Sequence, residues 1–199
     1  MDWRRERRLI VAGDILSVLP LDGDWSRVER EYWWRALTVV RLPARPTALL
    51  VGLGGGTQVH LLQRLARPRL VTVIERDPVM VRVALDWFGL DRLGPLELVC
   101  ADAESAARGL RRLGRRFDFV MEDAAYADAD PRARPLAEAL APLVAPGGAL
   151  VLNRHRRVDA QPLARMLRRR FARVRRRPVR DKVENVLLVC ERPRRVTVP

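Results

Sequence analysis

Short apolar runs alternate with longer stretches of mixed character from about residue 47 onward. Ala48 to Leu53 is continuously apolar and runs into glycines, which predicts a buried strand. Thr57 to Leu65 places Val59, Leu61, Leu62 and Leu65 at helical spacing. Leu70 to Ile74 is rich in β-branched residues and predicts a second strand. Asp77-Pro78 opens the next helix, with proline in the first turn where its missing N–H costs nothing, and Val79, Val83 and Phe88 fit one face. Leu96 to Cys100 predicts a third strand and Phe117 to Met121 a fourth, with a helix from Leu136 to Val144 beyond it. Pro146-Gly147-Gly148 reads as a turn before a fifth strand, Ala149 to Leu152. Strand–helix–strand at this repeat implies right-handed crossovers and a doubly wound α/β sheet covered on both faces.

The ends differ from the middle. Pro162 to Phe171 predicts a helix, and Arg173 to Val179 with Val186 to Val189 predicts two strands joined by the polar turn Arg180 to Glu184. The expected sheet is therefore Rossmann-like, of about seven mostly parallel strands with an antiparallel C-terminal hairpin. At the front, Leu9 to Leu19 with the Leu21-Asp22-Gly23 turn predicts a short hairpin, and Trp25 to Val40 a helix. Residues 1–46 are read as a lead-in and 47–199 as the main domain.

Composition adds a bias in charge. The 199 residues carry 38 basic and 24 acidic side chains, and residues 150–199 alone hold 16 basic against 4 acidic. Thirty-seven of the basic residues are arginine, Lys182 being the exception, as a GC-rich coding sequence produces. A solvated basic face explains the segment 154–180. A sequence-blind attraction to nucleic acid or an acidic partner is the alternative. Arg165, Arg168, Arg169 and Arg173 form one stripe opposite Leu163, Met166 and Leu167. No apolar run approaches the ~18 to 20 residues of a membrane span, and no secretory signal is evident, so a cytoplasmic protein is expected. Cys100 and Cys190 each end an apolar run and read as buried thiols. His60 and His155 have no partners at metal-ligand spacing, and no metal is expected.

Candidate chemistry gathers at the carboxyl ends of the strands, where open parallel sheets bind ligands. Gly52-Leu53-Gly54-Gly55-Gly56-Thr57 lets the backbone approach a ligand closely and leads into a helix N-terminus with free amides. No Gly-Lys-Ser/Thr follows, which argues against a nucleoside triphosphatase. Glu75 stands at the end of the second strand, 19 residues after Gly56, where a carboxylate accepts from two ribose hydroxyls. Asp102, with Ala103, ends the third strand, where it accepts from an adenine amino group, caps the next helix, or does both.

As a set these segments resemble the spermidine synthase-like (polyamine aminopropyltransferase) branch of the class I S-adenosylmethionine-dependent transferases. Leu50 to Thr57 looks like that branch's first motif, Val73-Ile74-Glu75-Arg76-Asp77-Pro78 its acidic motif, and Ala101-Asp102-Ala103 its base-binding turn. Leu21-Asp22-Gly23 with Glu29 and Tyr32 resembles its lead-in, and Asn185 to Val189 its last strand. The resemblance implies S-adenosylmethionine or its decarboxylated form as co-substrate, bound by Gly52, Gly54, Gly55, Gly56, Glu75, Asp102 and Ala103. It implies Asp123 as the base that holds a small amine-like acceptor, Tyr126 as a residue shaping the site, methyl or aminopropyl transfer, and a plausible homodimer. Tyr126 stands where the family has a second acid, and Tyr32-Trp33-Trp34 where it has Tyr-His-Glu. Asp123-Ala124-Ala125-Tyr126 also keeps the first and last members of the Asp-Pro-Pro-Tyr pattern of amino-group methyltransferases. The rival expectation is a non-catalytic relative that binds nucleic acid or an acidic partner through its C-terminal arginines.

Overall fold

The computed structural model describes residues 2–3, 5–124, 133–154, 157–179 and 185–194. The chain begins with a small antiparallel sheet of β1 (Asp2–Trp3), β2 (Glu6–Val11) and β3 (Asp14–Pro20). Its hairpin turns at Ala12-Gly13, both in left-handed backbone, rather than at Leu21-Asp22-Gly23. The latter closes β3 instead, where the Leu21 amide donates to the Arg5 carbonyl at 2.7 Å. The helix expected over Trp25 to Val40 is broken in two. A 3₁₀ turn, Trp25–Arg30, is capped by Asp24, and α1 (Tyr32–Thr38) follows after Glu31 takes up extended backbone.

The main sheet is built from β4 (Thr47–Val51), β5 (Leu70–Glu75), β6 (Leu96–Cys100), β7 (Phe117–Glu122), β8 (Val144–Arg154), β9 (Phe171–Pro178) and β10 (Val186–Pro193). Spatial order is β6-β5-β4-β7-β8-β10-β9. The first five strands are mutually parallel, and β10 runs antiparallel to both β8 and β9. This is the expected seven-stranded doubly wound sheet with its C-terminal hairpin. The connecting helices are α2 (Thr57–Ala66), α3 (Pro78–Phe88), α4 (Ala103–Arg112), α5 (Ala133–Leu140) and α6 (Arg157–Leu167).

The strands read as unbroken apolar runs because both faces are covered. Leu50, Val73, Met121, Val151 and Leu187 pack on one side with Trp33, Leu37 and Leu61. Leu49, Val51, Ile74, Val120, Leu150 and Val186 pack on the other with Ala107, Leu136 and Leu163. Asp77 caps α3 by accepting from the Val79 amide at 2.8 Å, and Gly89 ends that helix in left-handed backbone.

Several expectations are corrected. The predicted turn at Pro146 to Gly148 is absorbed into β8, which starts at Val144. Helix α6 ends at Leu167, so the four arginines do not share one helical stripe: Arg168 and Arg169 lie in the turn beyond it and Arg173 on the edge strand β9. Arg173 and Arg175 both reach Glu191, at 3.7 and 2.7 Å. Cys190 is buried, but Cys100 is exposed, because it ends the outermost strand β6. Tyr126, His155 and the turn 180–184 lie outside the described residues.

Candidate active site

Five parallel strands deliver their carboxyl ends to one edge, and β4, β5, β6 and β7 lead into the candidate residues there. At the end of β4 the Gly52 amide continues the ladder to the Ile74 carbonyl at 2.9 Å. Its φ is +93°, and a Cβ there would lie 2.7 Å from the Asp123 carbonyl oxygen, so only glycine lets β4 and β7 close at this point. Gly55 and Gly56 are needed for a different neighbour, since Cβ atoms would strike the side chains of Phe88 and Leu90. The N-terminal hairpin holds this loop from outside: Ser17 Oγ accepts from the Gly55 amide at 2.7 Å.

Glu75 is half-buried beside the loop. Oε2 accepts from the Leu53 amide and Oε1 from the Asp77 amide, both at 3.0 Å, so the carboxylate is fixed from both sides by main chain. Asp102 is exposed and caps α4, accepting from the Ser105 amide at 3.0 Å. The buried Ala103 opens that helix.

Asp123 follows directly on β7 and receives three side-chain donors. Tyr32 Oη and Gln58 Nε2 each donate to Oδ2 at 3.0 Å, and Asn153 Nδ2 donates to Oδ1 at 2.8 Å. Burial nevertheless pushes its carboxyl up to about 7, with the neighbouring Glu122 charge adding to the rise and the Asn153 and Tyr32 donations opposing it. The Tyr32 phenol is held well above its ordinary value by burial and by the Asp123 charge, so it stays a proton donor in the network. The sequence reading places Asp123 in the site, gives Tyr32 only as part of the lead-in, and misses Gln58 and Asn153. Their one sequence signal is a carboxamide on an otherwise apolar element end, Gln58 just inside α2 and Asn153 near the end of β8.

On the opposite sheet face Glu122 and Arg154 form a fully buried ion pair. Burial raises the Glu122 carboxyl, and the Arg154 guanidinium opposes that rise. Arg154 thus belongs to the interior rather than to a basic surface. His60, also discounted as a ligand, sits against Trp25 with Nε2 2.8 Å from the Phe88 carbonyl oxygen, and burial lowers its proton affinity.

Comparison with solved structures gives the architecture its name. Human methyltransferase-like protein 13, solved in complex with SAH, superposes with a TM-score of 0.68 at 21% identity, covering 82% of this chain and 81% of that one. The chain has the class I methyltransferase fold. A probable spermidine synthase from Corynebacterium glutamicum shares that fold with a TM-score of 0.70, at 18% identity over 94% of this chain and 72% of that one. The methyltransferase fold alone therefore does not single out the spermidine synthase-like branch. By sequence, the eEF1A lysine and N-terminal methyltransferase of Danio rerio is 36% identical over 78 residues. That match spans 39% of this chain and 11% of the zebrafish protein. No family model matches the chain. Among the described residues no helix is long and apolar enough to cross a membrane, and no group of three or more His, Cys, Asp or Glu stands ready for a metal ion.

Proposed function

We propose that the chain is an S-adenosylmethionine-dependent methyltransferase whose acceptor is an amine nitrogen. The observation that carries this reading is the Asp123 carboxylate, held by Tyr32, Gln58 and Asn153 one residue beyond β7 and packed by its backbone against Gly52 of the loop. A nucleophilic nitrogen must be deprotonated before it attacks, and a carboxylate whose proton affinity lies near neutrality is matched to that task.

The residues present fit the co-substrate. Glu75, oriented by two main-chain amides, would accept from the two ribose hydroxyls with its remaining lone pairs. Gly52, Gly54, Gly55 and Gly56 would line the methionine and ribose side, and Asp102 with Ala103 the adenine. Bound S-adenosylmethionine supplies a methyl carbon on a positively charged sulfur. Asp123 would hold the acceptor ammonium and take one proton from it, and the freed nitrogen lone pair would form the N–C bond as the S–C bond breaks. Tyr32, Gln58 and Asn153 would keep the carboxylate aimed through that transfer.

Methyl transfer is preferred over aminopropyl transfer on two grounds. Relatives whose names say methyltransferase match by both sequence and structure. The chain also carries Tyr126 and Trp34 where the polyamine branch has acids, so a dicationic acceptor would have charges buried without partners.

Calorimetric titration with S-adenosylmethionine, decarboxylated S-adenosylmethionine and methylthioadenosine tests the reading. Tightest binding of the full co-substrate is expected. Preference for the decarboxylated form or methylthioadenosine would move the assignment to aminopropyl transfer, and binding of none would overturn both.

A further inference from the structure

Asn153 is 4% exposed, and one end of its amide is committed. A carboxylate offers only lone pairs, so the Asn153 NH₂ group must be the end that meets Asp123, which leaves its oxygen uncommitted there. That oxygen is buried and has no hydrogen-bond partner among the described residues. Asn185, 5% exposed, presents a second such oxygen. Leu187 pairs with Asn153 across β8 and β10, and Asn185 stands two residues before Leu187. Asn185 directly precedes β10, and its carbonyl continues the pairing by accepting from the Val179 amide at 2.8 Å, so alternation puts Asn185, Leu187 and Asn153 on one face. The packing agrees: Leu187 joins the core on that face, and Val186 joins the core on the other.

Asp123 has capacity left as well. Among the described residues Oδ2 receives two donors and Oδ1 one, which leaves Oδ1 the oxygen with the greater remaining capacity. One end of the sheet therefore offers one negative charge and three acceptor positions: Asp123 Oδ1, Asn153 Oδ1 and Asn185 Oδ1. Buried acceptors without donors are costly, and a group that brings N–H bonds to them relieves that cost.

The geometry points to a receptor for a primary ammonium, R–NH₃⁺, in which Asn153 and Asn185 set the specificity. Three N–H donors answer three acceptors, and the positive charge answers Asp123. An alcohol brings one donor and no charge. A quaternary ammonium brings the charge and no donor, and so leaves both amide oxygens unpaired. The inference rests on reading this end of the site as the acceptor end. It names the acceptor class as a primary amine and implies that affinity falls as methyl groups replace N–H bonds.

The test uses the full chain saturated with S-adenosylhomocysteine, with binding followed by backbone amide NMR shifts. The probes are n-butylammonium, butyltrimethylammonium and 1-butanol. We expect n-butylammonium to bind at least about tenfold more tightly than either control, the worth of a hydrogen bond to a charged group. Asn153→Ala and Asn185→Ala should each weaken it about tenfold, and Asn185→Asp, which keeps an acceptor oxygen, should retain it. Variants are read only where their far-ultraviolet circular dichroism matches the parent. If Asn153→Ala fails to fold, the Asn185 pair carries the decision.

Equal affinity for butyltrimethylammonium would overturn the receptor, as would unchanged affinity in the alanine variants or no shifts with n-butylammonium. The titration is repeated without S-adenosylhomocysteine. Failure of the nucleoside to bind would sink the transferase reading, while selectivity among the three probes would still judge the receptor.

Discussion

The Thr57 hydroxyl donates to the Val18 carbonyl at 2.9 Å and accepts from the Val18 amide at 2.8 Å. One side chain in the first turn of α2 thus completes the main-chain pairing of β3 and fastens the N-terminal hairpin to the main sheet. Thr57 is 1% exposed, so neither Val18 group has water as a substitute. Thr57→Val, nearly the same shape, should cost about 2–3 kcal/mol by leaving a buried N–H and C=O unpaired. Thr57→Ser keeps the hydroxyl and should cost about 1 kcal/mol, the worth of a buried methyl. Urea midpoints for the two variants decide the matter, and a Thr57→Val loss no larger than that of Thr57→Ser would show that the hydroxyl pairing is not the larger contribution.

Glu75, proposed above to hold the ribose, has an orientation that does not depend on the ligand. Both of its oxygens are already fixed by the Leu53 and Asp77 amides, so its binding role separates from folding less cleanly than that of a free side chain. Glu75→Gln keeps the shape and one acceptor oxygen, and Glu75→Ala removes both. Affinity for S-adenosylhomocysteine should fall about tenfold in the first and about a hundredfold in the second, as one and then two hydrogen bonds to a charged group are lost. Calorimetry on variants with unchanged melting curves is the measurement. Full affinity in Glu75→Ala would end the ribose assignment.

Much of this architecture could be read from the chain because its signals are local. The strand Leu96–Cys100 and the Asp77-Pro78 helix start lie where the apolar run and the cap residue put them. The break at Glu31 was hidden because Trp25 to Val40 has helical spacing throughout, and nothing local marks one residue in extended backbone. Asn153 and Gln58 were missed for a different reason. Each is a single carboxamide in an ordinary setting, and its meaning comes from Asp123, 30 and 65 positions away. Arg154 misled by company: it opens an arginine-rich segment, yet its partner is the buried Glu122. The glycine loop reads as room for a ligand, and Gly52, Gly55 and Gly56 are in addition required by Asp123, Phe88 and Leu90, neighbours that no local pattern announces.

Those three neighbours make different predictions for the loop. A Cβ at Gly52 meets main-chain atoms of Asp123, which cannot move aside, and the backbone there has φ +93°. Gly52→Ala should therefore cost about 3 kcal/mol or more. A Cβ at Gly55 meets the Phe88 ring at 2.8 Å, which a smaller side chain relieves. Gly55→Ala should cost about 1–3 kcal/mol, and Phe88→Leu in that background should recover part of the loss. Denaturation of the single and double variants tests this. A double variant no better than the sum of its parts would show that ring contact is not the cause.

Asp123 combines the chemical prediction with a pH dependence of stability. Its proton affinity stands at about 7 in the fold against an ordinary value of 3.8, chiefly through burial. Between those values the unfolded chain has released the proton while the folded chain keeps it. The unfolded state then binds fewer protons, so stability falls as pH rises from about 4 to about 7 and levels off above. Asp123→Asn removes this titration, and Glu122 remains in both proteins. Urea midpoints at pH 5 and pH 8 should therefore drop further in the parent than in the variant. Methyl transfer should rise with pH through about 7 as the carboxylate becomes free to accept a proton. In Asp123→Asn it should fall by about a hundredfold or more, with S-adenosylhomocysteine affinity held within a few fold. Parallel stability profiles would remove the raised proton affinity, and parent-like turnover in the variant would remove the base.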